Sequence, residues 1–321
     1  MLSRVAENIY WLIRYIERAE NTARLIHVNN QLILDTPRGI NPGWEPMVYI
    51  TGQHEHFTKL EGDVSERDVV SFLIGNRKNP GSILSSLHSA RENFRTVREV
   101  LPRSAWEIIN ELYHYAQDNV AQGVGKKGRD AYLNEVIAGS QRLGGLLGSV
   151  MYRDEAYHFQ RIGRHLERAD MTTRILDVRS TDLFDEDLLE SRTLDTLQWI
   201  SVLKSLSCYQ SYRRHVQIRV QRSAALYFLL KEEHFPRSVI HCIGVIEESI
   251  SALNHSDATI RHIQQLNQQV KAINTASISQ QQLHDTMDEI QVGIVKVHNS
   301  LAESYFSRSQ QTQTQSQSQS S

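Results

Sequence analysis

The segment RYIERAENTAR, beginning at Arg14, returns as RHLERADMTTR, beginning at Arg164, so the chain is expected to carry a duplicated unit. The positions kept are Arg14, Glu17, Arg18, Ala19, Glu20, Thr22 and Arg24 in the first copy. Their counterparts are Arg164, Glu167, Arg168, Ala169, Asp170, Thr172 and Arg174. Most of these are charged. An isolated pair on a helix surface is worth only about 0.2–0.5 kcal/mol, too little to hold a whole charge pattern in place. The retained pattern implies that these side chains meet something specific.

The duplication extends beyond the motif. FLIGNRKNPGSI from Phe72 resembles FLLKEEHFPRSV from Phe228, and Trp44 has a counterpart in Trp199. The offsets, 156 and 155 against 150 for the motif, imply a small insertion in the second copy. A unit this long is no solenoid repeat, so two halves packed about a pseudo-two-fold are expected. All six prolines fall at 37, 42, 46, 80, 102 and 236, which leaves 103–235 and 237–321 free for long helices. Apolar residues recur at three and four residue intervals, as in Ile9, Leu12, Ile13, Ile16, Ala19 and Ala23, and no β-branched run alternates with polar residues.

The expected fold is all-α, a bundle of about ten helices in two pseudo-symmetric repeats. The spacing predicts helices near 3–34, 44–60, 66–75, 81–100, 104–121, 129–178, 187–205, 209–231, 237–254, 258–275 and 279–305. Ser104 and Glu107 are read as a capping box, and Asn79-Pro80 as a helix start. Gly139, Gly144, Gly145 and Gly148 mark a kink or break inside 129–178. One domain is expected over 1–306, with halves at about 1–150 and 151–306. The Gln/Ser/Thr-rich tail 307–321 is expected to be disordered, having nothing to bury.

A net charge of -2 gives no general attraction to nucleic acid or anionic membrane. The short run IYWLI, closed by Arg14, is too brief for a signal peptide or a membrane span. With two cysteines only, Cys208 and Cys242, no disulfide framework is expected, and a reduced cytoplasmic setting follows.

On a helix, Arg14, Glu17, Glu20 and Arg24 fall within about 120° of one another, opposite an apolar face, with Arg18 just beyond them. Arg164, Glu167, Asp170 and Arg174 repeat the stripe. Three readings stand. The stripe is a solvated face, or the two stripes cross and arginine forks of one copy hold carboxylates of the other, or such a network also keeps donors for a ligand carboxylate or phosphate.

The blocks RYIERAENTARLI and RHLERADMTTRILD resemble the Alpha-E family, bacterial helical proteins with a Glu-Arg motif. MLSRVAENIYWLIRYIERAENTARL, NPGSILSSLHSARENFRTVREVL and YRDEAYHFQRIGRHLERADMTTRILDVRS are similar to its opening, second and central blocks. The resemblance implies association with a circularly permuted ATP-grasp protein and a transglutaminase-like protein. It implies an accessory role in an ATP-dependent amide-bond-forming or peptide-modifying system. Carried onto this sequence, the binding residues are Arg14, Glu17, Arg18, Glu20, Arg24, Arg164, Glu167, Arg168, Asp170 and Arg174. The block AREN adds Arg91, Glu92 and Asn93, with Arg95 and Arg98 extending a second polar stripe that would complete an anion pocket if it faced the motif helices.

A rival reading makes Glu17 or Glu167 a general acid or base in an arginine-rich pocket, and a third makes the protein purely structural. Glu111/His114 and Glu155/His158 have the Glu-x-x-His spacing of two-metal bundles, but nothing selects the further glutamates such a site needs. GVGKKG at Gly123 lacks the spacing and hydroxyl residue of a P-loop. No cofactor or metal is assigned.

Overall fold

The apolar stripe Ile9, Leu12, Ile13, Ile16, Ala19, Ala23 and Ile26 is buried along one helix, α1 (Ser3–Asp35). At 1.5 Å per residue it is about 50 Å long. In this computed structural model the described residues are 1–37, 40, 42–60, 64–180, 192–254 and 256–306. Among them there is no strand. The tail 307–321 and the start of the expected 187–205 helix lie outside the described residues.

After α1 come α2 (Glu45–Ile50), α3 (His54–Leu60), α4 (Glu66–Ile74), α5 (Ile83–Thr96), α6 (Arg103–Asp118), α7 (Val120–Val124) and α8 (Arg129–Val150). The second series is α9 (Glu155–Ser180), α10 (Arg192–Ser205), α11 (Tyr209–His215), α12 (Arg222–Lys231), α13 (Val239–Ser251), α14 (Asp257–Ala272) and α15 (Gln280–Leu301), ending in a π-turn over Ala302–Phe306. Packing follows the same plan in both series. α5 and α8 flank α1, and α13 and α15 flank α9, while α6 bridges α5 and α8 as α14 bridges α13 and α15.

At the centre, α1 and α9 lie side by side and run in the same direction. Contacts advance in step along both, from Met1 with Glu155, through Tyr10 with Gly163, to Arg14 with Glu167. Gly163 sets the separation: a Cβ there would come within 2.6 Å of the Tyr10 carbonyl oxygen, a backbone atom that cannot move aside. The close approach brings the motif side chains within reach of the opposite helix.

Several expected boundaries move. The helix expected over 129–178 is two, broken at Met151–Asp154 and not at its glycines, which all lie inside continuous α8. The segment 44–60 is likewise α2 and α3, divided where Gly52 takes a positive φ of 68°. The expected 209–231 helix divides into α11 and α12, and the expected 104–121 helix ends at Asp118 before the short α7. Ser104 caps nothing: α6 begins at Arg103 without a side-chain cap, and Glu107 pairs instead with Arg103. Asn79 does not start α5. Its side chain accepts from the Gly81 N–H and donates to the Phe72 carbonyl, while Ser82 is the N-cap, accepting from the Ser85 N–H.

Candidate functional site: two reciprocal glutamate clamps

Glu167 of α9 lies one turn beyond Gly163, against α1, and is buried. It accepts from Arg14 Nε at 2.7 Å, Arg18 Nε at 2.7 Å and Arg18 Nη2 at 3.1 Å. The Arg18 fork is bidentate, the geometry that makes guanidinium–carboxylate pairs strong. Arg14 is boxed in further: it donates to the Tyr10 hydroxyl at 3.0 Å and lies 4.9 Å from the Trp11 ring centre. The Tyr10 hydroxyl in turn lies 2.8 Å from His298 Nδ1, a ring whose pKa burial and Arg14 together lower.

The reciprocal clamp holds Glu17 of α1. Arg168 grips it bidentately, Nε at 3.0 Å and Nη2 at 2.9 Å. Arg164 stands off at 3.4 Å, and its buried Nε has no hydrogen-bond partner. Burial alone would raise the pKa of both glutamates. The arginines outweigh it, Arg168, Arg237 and Arg164 around Glu17 and Arg18 and Arg14 around Glu167, and hold each carboxyl down at about 2.

Arg237 is a residue of this candidate site that the sequence reading missed. It precedes α13, is buried, and donates to Glu20 Oε1 at 3.0 Å and Asn21 Oδ1 at 3.0 Å, with Glu17 at 3.6 Å. Glu20 also accepts from Arg24 and, at 3.2 Å, from Gln141 of α8. Its counterpart Asp170 accepts from Arg174 Nε at 2.9 Å. The signal was in the sequence, since aligning FPRSV with NPGSI sets Arg237 opposite Gly81.

Each clamp borders a cavity. Beside Glu17 and Glu20, a cavity of about 410 Å³ is lined by Arg164, Arg168, Arg237 and Gln141 and edged by Gly144 and Gly145 of α8. The glycines thus give room at this cavity. A Cβ on Gly144 would come within 3.3 Å of Arg164 Nη2, and one on Gly145 would meet open space. Beside Glu167, a smaller cavity of about 180 Å³ is lined by Arg18, Asp170, Arg174, Gly52, Gln53 and Gly81.

The second polar stripe turns elsewhere. Arg91 donates to Asn110 of α6 at 2.8 Å and lies over the rings of Trp106 and Tyr113. Glu92 pairs with Arg91 and Arg95, and Arg98 covers Trp106. Neither these residues nor Asn93 lines either cavity. Glu111 and His114 point to solvent, and Glu155 is paired with the N-terminal ammonium. Among the described residues the group with metal-ligand chemistry is Asp177, His284 and Asp288. There His284 turns one nitrogen to each carboxylate, Nδ1 2.5 Å from Asp177 and Nε2 3.8 Å from Asp288, the arrangement of a doubly paired histidine. Cys208 and Cys242 are buried, and burial raises both thiols, Cys242 to about 12, so neither is an activated nucleophile.

Residues 1–306 match the model of a family described as a predicted alpha-helical domain with a conserved ER motif, Alpha-E. The chain belongs to the Alpha-E family. In this Alpha-E chain the duplicated Glu-Arg pairs, Glu17-Arg18 and Glu167-Arg168, are the residues that interlock α1 with α9. Similar curated relatives are an uncharacterized protein of Mycobacterium bovis and uncharacterized proteins of two strains of Mycobacterium tuberculosis. Each is 23% identical over 279 residues, covering 80% of this chain. The chain spans 30% of the length of these relatives. No solved structure matches it.

Proposed function

We propose that this Alpha-E domain is a binding module that holds a carboxylate or phosphate group in the 410 Å³ cavity. The carrying observation is the imbalance around Glu17 and Glu20. Arg24, Arg164, Arg168 and Arg237 face these two carboxylates, and the buried Nε of Arg164, which lines the cavity, has no hydrogen-bond partner. Burial, together with Arg168 and Arg237, lowers the Arg164 pKa despite Glu17 nearby, so an anion seated there would relieve an unfavourable charge. A planar anion accepting from several guanidinium forks is the ligand such a cavity suits.

The partner in this reading is a circularly permuted ATP-grasp ligase, with a transglutaminase-like protein as a further candidate, acting in the cytoplasm. The module would present the acidic group of a substrate or of the ligase for amide-bond formation or peptide modification. This partnership follows from the family resemblance. The relatives' greater length agrees with a domain that works beside others. Among the described residues no helix is long and apolar enough to cross a membrane.

Catalysis by Glu17 or Glu167 is the weaker reading. A general acid or base works best with a pKa near the operating pH, and both carboxyls are held at about 2 with their oxygens engaged by arginines.

Isothermal titration of inorganic phosphate and of acetate into the protein tests the anion site. Saturable binding that Arg164→Gln weakens at least about tenfold, the equivalent of one lost charge-assisted hydrogen bond, is expected. Equal binding by that variant, or none by either protein, overturns the reading. For the partnership, the tagged protein purified from its native cells is expected to bring down the ATP-grasp protein. Recovery of the protein alone would move the weight to an independent binding role.

A further inference from the structure

The two cavities occupy matching positions on the paired motifs, but an arginine, Arg237, reaches the carboxylates beside one and has no counterpart beside the other. On the Glu17 side, Arg237 reaches in from the segment before α13 and bonds Glu20 and Asn21. The corresponding residue before α5 is Gly81, which lines the 180 Å³ cavity together with Glu167 and Asp170, the counterparts of Glu17 and Glu20.

Nothing in the backbone demands glycine at this position. Its φ is not in the left-handed region, and a Cβ would meet Asn79 Oδ1 at 3.3 Å and Gln53 at 3.7 Å, contacts that a small shift accommodates. What glycine preserves is the space. The cavity holds several waters' worth of volume at roughly 30 Å³ each, more than one structural water needs.

The hydrogen bonds on this side are correspondingly incomplete. Glu20 accepts from Arg24, Gln141 and Arg237, whereas among the described side chains Asp170 accepts only from Arg174. Arg14, Arg18 and Arg174 surround the two carboxylates here, one arginine fewer than on the Glu17 side. On the Glu17 side the fourth guanidinium, Arg237, is held by direct hydrogen bonds to Glu20 and Asn21, and a guanidinium beside Asp170 would be held in the same way.

We infer that the 180 Å³ cavity at Gly81 is a binding site for a guanidinium group, supplied by a ligand in the position that Arg237 fills in the other half. The guanidinium donates to the free lone pairs of Asp170, with Glu167 behind it, and its alkyl stem lies against Met171, which replaces Asn21 and gives an apolar wall. The source is either a small guanidine or an arginine side chain of a peptide. The proposal stands apart from the anion cavity, which involves neither Gly81 nor Asp170.

The test is titration of agmatine, which carries a guanidinium and no carboxylate, into the wild-type protein, with acetate as the competing chemistry and an acetylated, amidated Gly-Arg-Gly peptide as the second source. Saturable agmatine binding is expected, weakened at least about tenfold by Asp170→Asn, which removes the acceptor's charge. Gly81→Arg is expected to occupy the cavity from within, abolishing agmatine binding and raising the melting temperature. Tighter binding of the peptide than of agmatine identifies a peptide arginine, and equal binding a free guanidine. Failure of agmatine and peptide to bind, equal agmatine binding by both variants, or displacement of agmatine by acetate would overturn the inference. Phosphate binding that depends on Arg164 would be unaffected by any of these results.

Discussion

Glu167 and Glu17 are held by the same residue types at the same spacing, yet both arginines of the first clamp hydrogen-bond their carboxylate while Arg164 of the second keeps a donor in reserve. The difference is made outside the motif. One turn before Arg14, Tyr10 supplies an acceptor, and Trp11 supplies a ring face, so Arg14 has partners beyond Glu167. One turn before Arg164 stands Gln160, whose Oε1 has no hydrogen-bond partner, and Arg161 in place of Trp11 turns away to Glu248. A duplicated charge pattern therefore encodes the interlock of α1 with α9. The flanking residues decide which clamp engages both of its arginines and which leaves an arginine donor unpaired.

Removing the two carboxylates should separate the clamps most strongly. Glu167→Ala leaves Arg14 and Arg18 facing each other without their shared partner, and breaking a buried pair this way costs about 3–5 kcal/mol. Glu17→Ala should cost less, roughly 1–3 kcal/mol, because Arg164 and Arg168 border the larger cavity, about 410 Å³ against about 180 Å³, where water can replace the lost acceptor. Urea unfolding of the two variants measures the difference. Equal losses would erase the distinction between the two clamps.

The arginine partners sharpen the same contrast. Arg14→Gln should cost about 1.5–3 kcal/mol, the worth of hydrogen bonds to a charged group that it no longer makes. Arg164→Gln should change stability by less than about 1 kcal/mol, since Arg164 makes only a long contact to Glu17 and its charge is disfavoured by burial and by Arg168. Thermal unfolding that ranks Arg164 with Arg14 would show its guanidinium to be structural after all.

Acid should reveal the clamps in a defined window. Both glutamates are held at about 2 when folded, below the ordinary 4.5, so the native state favours their ionised form. That stabilisation is complete above about 4.5 and is lost as the pH falls toward 2. His165 adds an earlier step. Burial, Arg168 and Arg164 lower its pKa well below 6.5, so its contribution is present above 6.5 and fades as the pH falls below that. Subtracting the melting profile of His165→Gln from the wild-type profile should leave only the His165 step, beginning near 6.5. A wild-type profile without the drop below about 4.5 would contradict the low carboxyl pKa values.

The helical class, α1, α9 and the charged stripes were legible because each rests on a short-range period that the chain repeats. Helix breaks were not. Met151–Asp154 contains neither glycine nor proline, and the turn there is imposed by α8 returning along α1 and α9 setting off beside it. Conversely, Gly144 and Gly145 read as breakers because their helix-weakening effect is local, whereas their use here, making room for Arg164 and the cavity, is tertiary. Arg237 was hidden for a related reason: it acts on Glu20, 217 positions away, and only the contrast with Gly81 marks it.

The smallest expected effect concerns the AREN stripe, and it marks where the two-clamp comparison ends. Arg91 ties α5 to α6 through Asn110 and the Trp106 and Tyr113 rings, with its side chain partly exposed. Two hydrogen bonds, to Asn110 and to the partly exposed Glu92, and two partly solvated cation–π contacts make Arg91→Ala worth about 1 kcal/mol in denaturant unfolding. Phosphate titration should be indistinguishable from wild type, because Arg91 lines neither cavity. A change in phosphate affinity would mean that the α5–α6 packing is felt at the Glu17 clamp through α1, and the division between a packing arginine and the arginines of the clamps would have to be redrawn.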